Sequence, residues 1–253
     1  MIPVFIISLS DCQERRKKIS RQLCCIGIDF EFIDAVDGRN GLDALYEMHI
    51  DRQATTLDGR PLSDAEFACA LSHISVYKRI VTDYIDHAIV LEDDAFPTAP
   101  LLEFLSGKHY RDADLTLLWY RRTFVRRQRR KKLFKNYVSY LCAPKIPQRT
   151  AMAYVISYYG AKHLLKNALP IRSEADWPQC AQMLLDRERW RVIAPLVDRS
   201  EEHPSIIEIH ARNKRKSERR SLFGPGRRRR LIRQVSVAPR RLLAKRIPRM
   251  GRF

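Results

Sequence analysis

The stretch His87-Ala88-Ile89-Val90-Leu91-Glu92-Asp93-Asp94-Ala95 constrains the fold more than any other part of the chain. Ala88 to Leu91 is an apolar run too short for a helix and rich in branched residues, which predicts a buried strand. It ends in three consecutive carboxylates, and acidic side chains so close together cost too much to bury unless a cation offsets them. Parallel sheets carry their chemistry where strands end at the carboxyl edge. A metal site at the end of a sheet strand is therefore one reading. A solvated acidic turn, or the cap of a helix opened by Pro97 and Thr98, has the same local composition, so the neighbouring segments decide.

The preceding residues build the sheet. Val4 to Ile7 reads as a central strand bounded by Ser8, Ser10 and Asp11. Asp11 and Glu14 have the spacing of a capping box, Ile19, Leu23 and Ile26 follow at helical period, and Gly27 closes the helix. Ile28, Phe30 and Phe32 alternate as a second strand leading to Asp34-Ala35-Val36-Asp37-Gly38, an order that predicts a right-handed parallel unit. Arg15 and Arg16 lie in the first helical turn, where positive charge opposes the helix dipole. They call for a partner anion such as a phosphate, or are simply solvated. Residues 41–61 are polar and irregular and read as a surface loop. Ser63 and Glu66 form a second capping box. In the helix after it, Phe67, Ala70, Leu71, Ile74, Lys78 and Val81 share one face, and Glu66, Cys69, His73 and Tyr77 gather on an adjoining one. The second stripe can line a pocket. Cys69 and His73, four residues apart, also have zinc-ligand spacing, without other paired ligands to complete a site.

Further on, residues 115–120 and 137–141 read as strands, with the basic cluster from Arg121 to Lys135 as a mobile loop between them. A helix is expected from Gln179 to Trp190, and a last core strand from Val192 to Val197. Of the formal net charge of +18, seventeen Lys/Arg and one acid lie after Ala211, so the body is nearly neutral. The expected division is a catalytic domain over 1–211 and a basic tail over 212–253. In the tail, Gly224-Pro225-Gly226 precedes four arginines, and Leu231, Ile232, Val235, Leu242, Leu243 and Ile247 sit among cations. Such a segment suits an anionic membrane surface, at about 1 kcal/mol per nearby cation, or is disordered. A nucleic-acid-binding protein would spread its charge over the body and interleave aromatics, so no specific nucleic acid is expected. Six cysteines without CxxC spacing, no apolar stretch of membrane-spanning length and no signal-like N-terminus lead to the expectation of a cytoplasmic protein on the inner face of the inner membrane.

Taken together, Ile6-Ile7-Ser8-Leu9, Arg15-Arg16, Asp34 to Gly38, Leu62-Ser63, Glu66, Cys69-Ala70-Leu71-Ser72-His73 and Ile89 to Ala95 resemble glycosyltransferase family 25. This family holds bacterial lipooligosaccharide galactosyl- and glucosyltransferases and is related to collagen galactosyltransferases. Ala153-Tyr154-Val155-Ile156-Ser157 with Gly160-Ala161-Lys162 resembles its later strand–helix motif, and Asp176-Trp177 its acidic–aromatic pair. Ala65 and Ala68 stand where the family more usually has glycine. The resemblance implies an α/β, GT-A-like fold with a Rossmann-type, mostly parallel sheet flanked by helices. It also implies a UDP-sugar donor bound near Ser8, Arg15, Arg16, Asp37, Ser72 and His73, a lipooligosaccharide acceptor, and inversion at the sugar carbon.

The residues suit that chemistry. A departing diphosphate has to be neutralised as the glycosidic bond breaks, and oxygen ligands select Mn²⁺ or Mg²⁺ for this. Glu92 and Asp94 have the acid-x-acid spacing of nucleotide-sugar transferases, and positions i and i+2 of a strand share a side. Asp94 is expected on the metal, Glu92 toward the ribose or a metal-bound water, and Asp93 in support. Inversion requires a separate base to deprotonate the acceptor hydroxyl. Asp176 is the candidate, with Glu174 the alternate, and Trp177 can stack on a sugar face or anchor the core. A metal-dependent phosphoesterase, the remaining alternative, would want more ligands, histidines included.

Overall fold

The computed structural model describes residues 2–56, 59–120, 123–142, 151–175, 189–193 and 195–199, and the backbone of 245–247. Val4–Ser8 forms β1, buried along its whole length. Helix α1 (Gln13–Cys25) follows, then β2 (Glu31–Asp34), which pairs parallel to β1 as expected. Gly27 takes a φ of 72° just past the helix and its N–H donates to the Cys24 carbonyl, the close that glycine permits there. The other end of α1 departs from expectation. Cys12, not Asp11, is its N-cap and makes no side-chain capping bond, because the Asp11 carboxylate instead accepts from Arg39.

The loop after β2 contains a 3₁₀ helix (Ala44–His49) and leads to α2 (Asp64–Thr82), opened by the Ser63/Glu66 capping box. Strand β3 (His87–Glu92) pairs parallel to the other side of β1. A turn carrying Asp93 and Asp94 connects it to β4 (Ala95–Pro97), and α3 (Pro100–Ser106) follows. The second half contributes β5 (Leu115–Leu117), β6 (Thr123–Lys132), β7 (Val138–Cys142), β8 (Ala153–Ser157), α4 (Tyr158–Asn167), β9 (Trp190–Ile193), β10 (Val197–Arg199) and β11 (Lys245–Ile247).

Among the described residues nine strands form one sheet in the order β11-β6-β7-β9-β5-β8-β3-β1-β2, and β10 pairs with β4 in a second, two-stranded sheet. The expected parallel bias holds for β2, β1 and β3. Beyond β3 the sheet is mixed: β8 runs antiparallel to both β3 and β5, and of the remaining pairs only β5–β9 is parallel. The result is a mixed α/β architecture flanked by helices, consistent with a GT-A-like fold. Alternation along β1 and β3 divides the core. Phe5, Ile7, Ala88 and Val90 pack with α2 and α4 on one face, while Val4, Ile6, Ile89 and Leu91 pack with α1 and α3 on the other. Both faces of the central strands are covered, which explains their continuous apolar sequences.

Three further expectations are corrected. The basic cluster is a strand rather than a loop. Thr123 and Val125 point into the core, from Arg127 onward the side chains of β6 extend into water, and its backbone pairs with β7 at Val125–Arg126 and again at Arg130–Lys132 across an irregularity. Trp190 begins a strand, so a helix cannot run through it. The segment 192–197 serves two sheets: β9 ends at Ile193 and β10 starts at Val197. The tail, read as a membrane-binding or disordered segment, is described only at Lys245–Ile247, where it forms β11 on the edge of β6. Among the described residues no helix is long and apolar enough to cross a membrane.

Candidate active site

β3 delivers its acids to the edge where β1 also ends, Glu92 standing in register with Ile7. The strand alternation stops at Glu92. Asp93 and Asp94 lie in the turn, and the three carboxylates point to different partners. Asp93 accepts a 2.7 Å hydrogen bond from the Ser8 hydroxyl and forms a 2.7 Å ion pair with Arg15. Asp94 is only 2% exposed, with Arg199 Nε 3.4 Å and Arg15 Nη2 4.0 Å from its Oδ2. Its Oδ1 is buried with no hydrogen-bond partner. Burial, then the charge of Glu92, pushes the Asp94 carboxyl up to about 7 against the opposing pull of Arg15 and Arg199. Burial also raises Asp93, with Arg15 and the Ser8 hydroxyl opposing it. Arg15 thus finds its anion within the protein, on the acidic turn.

Glu92 is the most exposed of the three, and it faces α2. His73, four residues after Cys69 on the stripe read from the sequence, brings Nε2 to 3.4 Å from Glu92 Oε1. Its Nδ1 lies 2.9 Å from the Tyr154 hydroxyl, which donates to Tyr77 over 3.3 Å. Tyr154 projects from β8, the antiparallel neighbour of β3, so the sheet and α2 enclose the imidazole together. Burial holds the Tyr154 phenol well above its ordinary range, so it stays a neutral hydrogen-bonding group.

The other residues expected around the donor are placed less directly. Arg16 donates to the Ser8 and Leu9 carbonyls, pairs with Asp34 and lies over the Phe32 ring, clasping the ends of β1 and β2. Ser72 bonds the Ala68 carbonyl and accepts from the Val36 N–H at 2.9 Å, fixing the loop after β2 against α2. Asp37 is held by Arg39, which lowers its carboxyl and also reaches Asp11. Gly38 presses on the start of α2, where an added Cβ would sit 2.4 Å from the Asp64 carbonyl oxygen and 2.8 Å from Ala65 Cα. Close backbone approach is thus supplied from the loop side, with alanine tolerated at 65 on the helix. Glu174 lies partly exposed in the chain after Ile171, which bridges to Ile50. Asp176 and Trp177 lie outside the described residues. Two neighbours escaped the sequence reading. Arg199 reaches Asp94 because β10 pairs with β4, with Arg199 opposite Ala95. Tyr154 was read only as part of a strand, and nothing in its local sequence points to His73.

A buried carboxylate with an unpartnered oxygen beside a second carboxylate is a donor set short of positive charge. Asp94 and Glu92 could hold a hard divalent cation of the Mg²⁺ or Mn²⁺ type, and Asp93 is already satisfied.

Comparison with known proteins bears on the family of the chain. The model of "Glycosyltransferase family 25 (LPS biosynthesis protein)" matches residues 1–178. The chain is 38% identical over 95 residues to procollagen galactosyltransferase 1-B of Xenopus laevis, covering 36% of this chain and 16% of that one. It is 26% identical over 170 residues to human procollagen galactosyltransferase 2, covering 64% of this chain and 27% of the relative. A relative from Haemophilus influenzae is 29% identical over 170 residues, covering 64% of this chain and 56% of its own length. The chain thus spans only part of each relative. With the carboxylate turn inside the matched segment, and the match extending over most of the sequence, the chain belongs to glycosyltransferase family 25.

Proposed function

We propose that the protein transfers a hexose, galactose, from a UDP-sugar to a lipooligosaccharide or related glycan, with inversion at the sugar carbon and with Mn²⁺ or Mg²⁺ as cofactor. The observation that carries the reading is the buried, unpartnered Oδ1 of Asp94 beside Glu92, in a chain of this family. The names of the procollagen relatives favour galactose. Asp94 and Glu92 would hold the metal, whose chemistry is to neutralise the departing diphosphate. Ser8 and Arg15 keep Asp93 fixed, and so hold the turn that carries Asp94. The Ser72–Val36 bond and Gly38 position the loop carrying Asp37, toward the nucleoside in this reading. Asp176 takes the acceptor proton, with Glu174 as alternate, and Trp177 stacks on a sugar face. Residues 1–211 form the catalytic unit, to whose sheet Lys245–Ile247 adds the edge strand β11. The tail, 212–253, attaches it to anionic lipid on the cytoplasmic face of the inner membrane.

The test is incubation with Mn²⁺ and a panel of nucleotide sugars, following donor hydrolysis and transfer. UDP-galactose should be consumed, and chelator or Asp94→Ala should abolish turnover. Full turnover by Asp94→Ala in chelator would refute the metal assignment.

A further inference from the structure

We propose that Cys69, His73 and Glu92 form a second divalent-metal site, one that contains a thiolate and suits Zn²⁺. Cys69 and His73 project from one face of α2, and Glu92 comes to them from the end of β3. Their ligand atoms all lie within 4.8 Å of one another. The imidazole is oriented for the role. His73 is 2% exposed, and its Nδ1 lies 2.9 Å from the Tyr154 hydroxyl, which also reaches Tyr77, so the ring is fixed in orientation. Its Nε2 faces a carboxylate oxygen of Glu92 at 3.4 Å, and in the tautomer protonated at Nδ1 the Nε2 lone pair is the one turned to the ion. A proton on Nε2 or a metal ion in its place can join these two groups. Two ligands of one tetrahedral ion with bonds of about 2.0–2.1 Å stand about 3.3 Å apart, which matches the observed separation.

A fixed Nδ1–H with Nε2 free to coordinate is the usual arrangement of a zinc-bound histidine. The sulfur separates this trio from the all-oxygen set of Glu92 and Asp94, because thiolates select zinc over Mg²⁺ and Mn²⁺. Cys69 and Glu92 are both partly exposed, which gives an ion a route in and leaves a position for water. Glu92 belongs to both sets. Zinc bound at Cys69 and His73 therefore withdraws one carboxylate from the donor site and antagonises Mn²⁺, a consequence that rests on the transferase reading above.

The experiment uses Co²⁺ as a spectroscopic stand-in, titrated into the full chain in a phosphine reductant without donor or acceptor. One equivalent should produce a thiolate-to-cobalt charge-transfer band with tetrahedral d–d bands, and Zn²⁺ should displace it. Cys69→Ser should remove the charge-transfer band, whereas the double variant Cys24→Ser/Cys25→Ser should retain it. Tyr154→Phe should keep the band and weaken Zn²⁺ binding about 10–100-fold, as loss of an outer partner does. X-ray absorption of the zinc-loaded wild type reads one sulfur and one imidazole without any substitution. Absence of the band, its survival in Cys69→Ser, or a zinc shell without sulfur overturns the proposal. These readouts need no turnover, so their failure leaves the transferase reading intact. Inactivity toward every nucleotide sugar, with the band present, would refute that reading alone.

Discussion

Replacing Asp94 by asparagine should make the protein more stable at neutral pH while removing its activity. In the metal-free protein the carboxyl sits at about 7 against an ordinary 3.8, because burial and the charge of Glu92 outweigh Arg15 and Arg199. Between these two values the native carboxyl keeps a proton that the unfolded chain has released. The native state binds more protons there, so stability falls as pH rises through that window and levels off above about 7. The difference is about three pH units, which at 1.36 kcal/mol per unit is on the order of 4 kcal/mol. Asparagine keeps the shape and carries no charge, so Asp94→Asn should lack this slope. In chelator at pH 8 it should exceed the wild type by up to that amount, about 8–16 °C in Tm for a chain of this size. At pH 4 the two should nearly coincide. Saturating Mn²⁺ at about 100 times its Kd should return about 2.7 kcal/mol to the wild type and little to the variant. Urea or thermal unfolding across pH 4–8 reads all of this. A variant less stable than wild type by the same margin at every pH would show that the arginines dominate, and that Asp94 is a structural anion.

Gly38→Ala forces a Cβ to within 2.4 Å of the Asp64 carbonyl oxygen, so it should lower the urea midpoint at unchanged m-value. The expected loss is about 1–3 kcal/mol. Ser72→Ala removes the acceptor of the Val36 N–H and should cost about 1 kcal/mol in the same assay, with a higher KM for the donor than for the acceptor as its functional trace. Asp176→Asn should reduce turnover about 10²–10⁴-fold at nearly unchanged donor affinity. Near-normal activity there would pass the role to Glu174.

Local periodicity carried the sequence reading where interactions are local. The run from Ala88 to Leu91, the capping box at Ser63 and the stripe of Glu66, Cys69, His73 and Tyr77 all appear where the spacing predicts, because helical and strand periods are properties of neighbouring residues. What the sequence concealed was set at long range. Antiparallel and parallel strands buried on both faces have the same apolar pattern, so nothing in Ala153 to Ser157 announced that β8 would lie reversed between β3 and β5. Arg199 meets Asp94 only because β10, about a hundred residues on, pairs with β4. Charge misled at β6, where the basic cluster from Arg121 to Lys135 suggested a loop, yet arginines of a strand hydrate freely while its backbone pairs with β7 on either side of an irregularity. At Asp11 a capping motif lost to a competing guanidinium, that of Arg39.

The reversed strand has a consequence for the chain as it leaves the ribosome. The pairings of β1 with β2 and with β3 are complete within residues 4–92, so this part of the sheet can form once those residues have been made. One side of β3 then has no ladder partner until residues 153–157 have been synthesised. During that interval the nascent protein presents an open apolar edge, Ala88 to Leu91, beside three acids whose charge disfavours a second copy approaching in register.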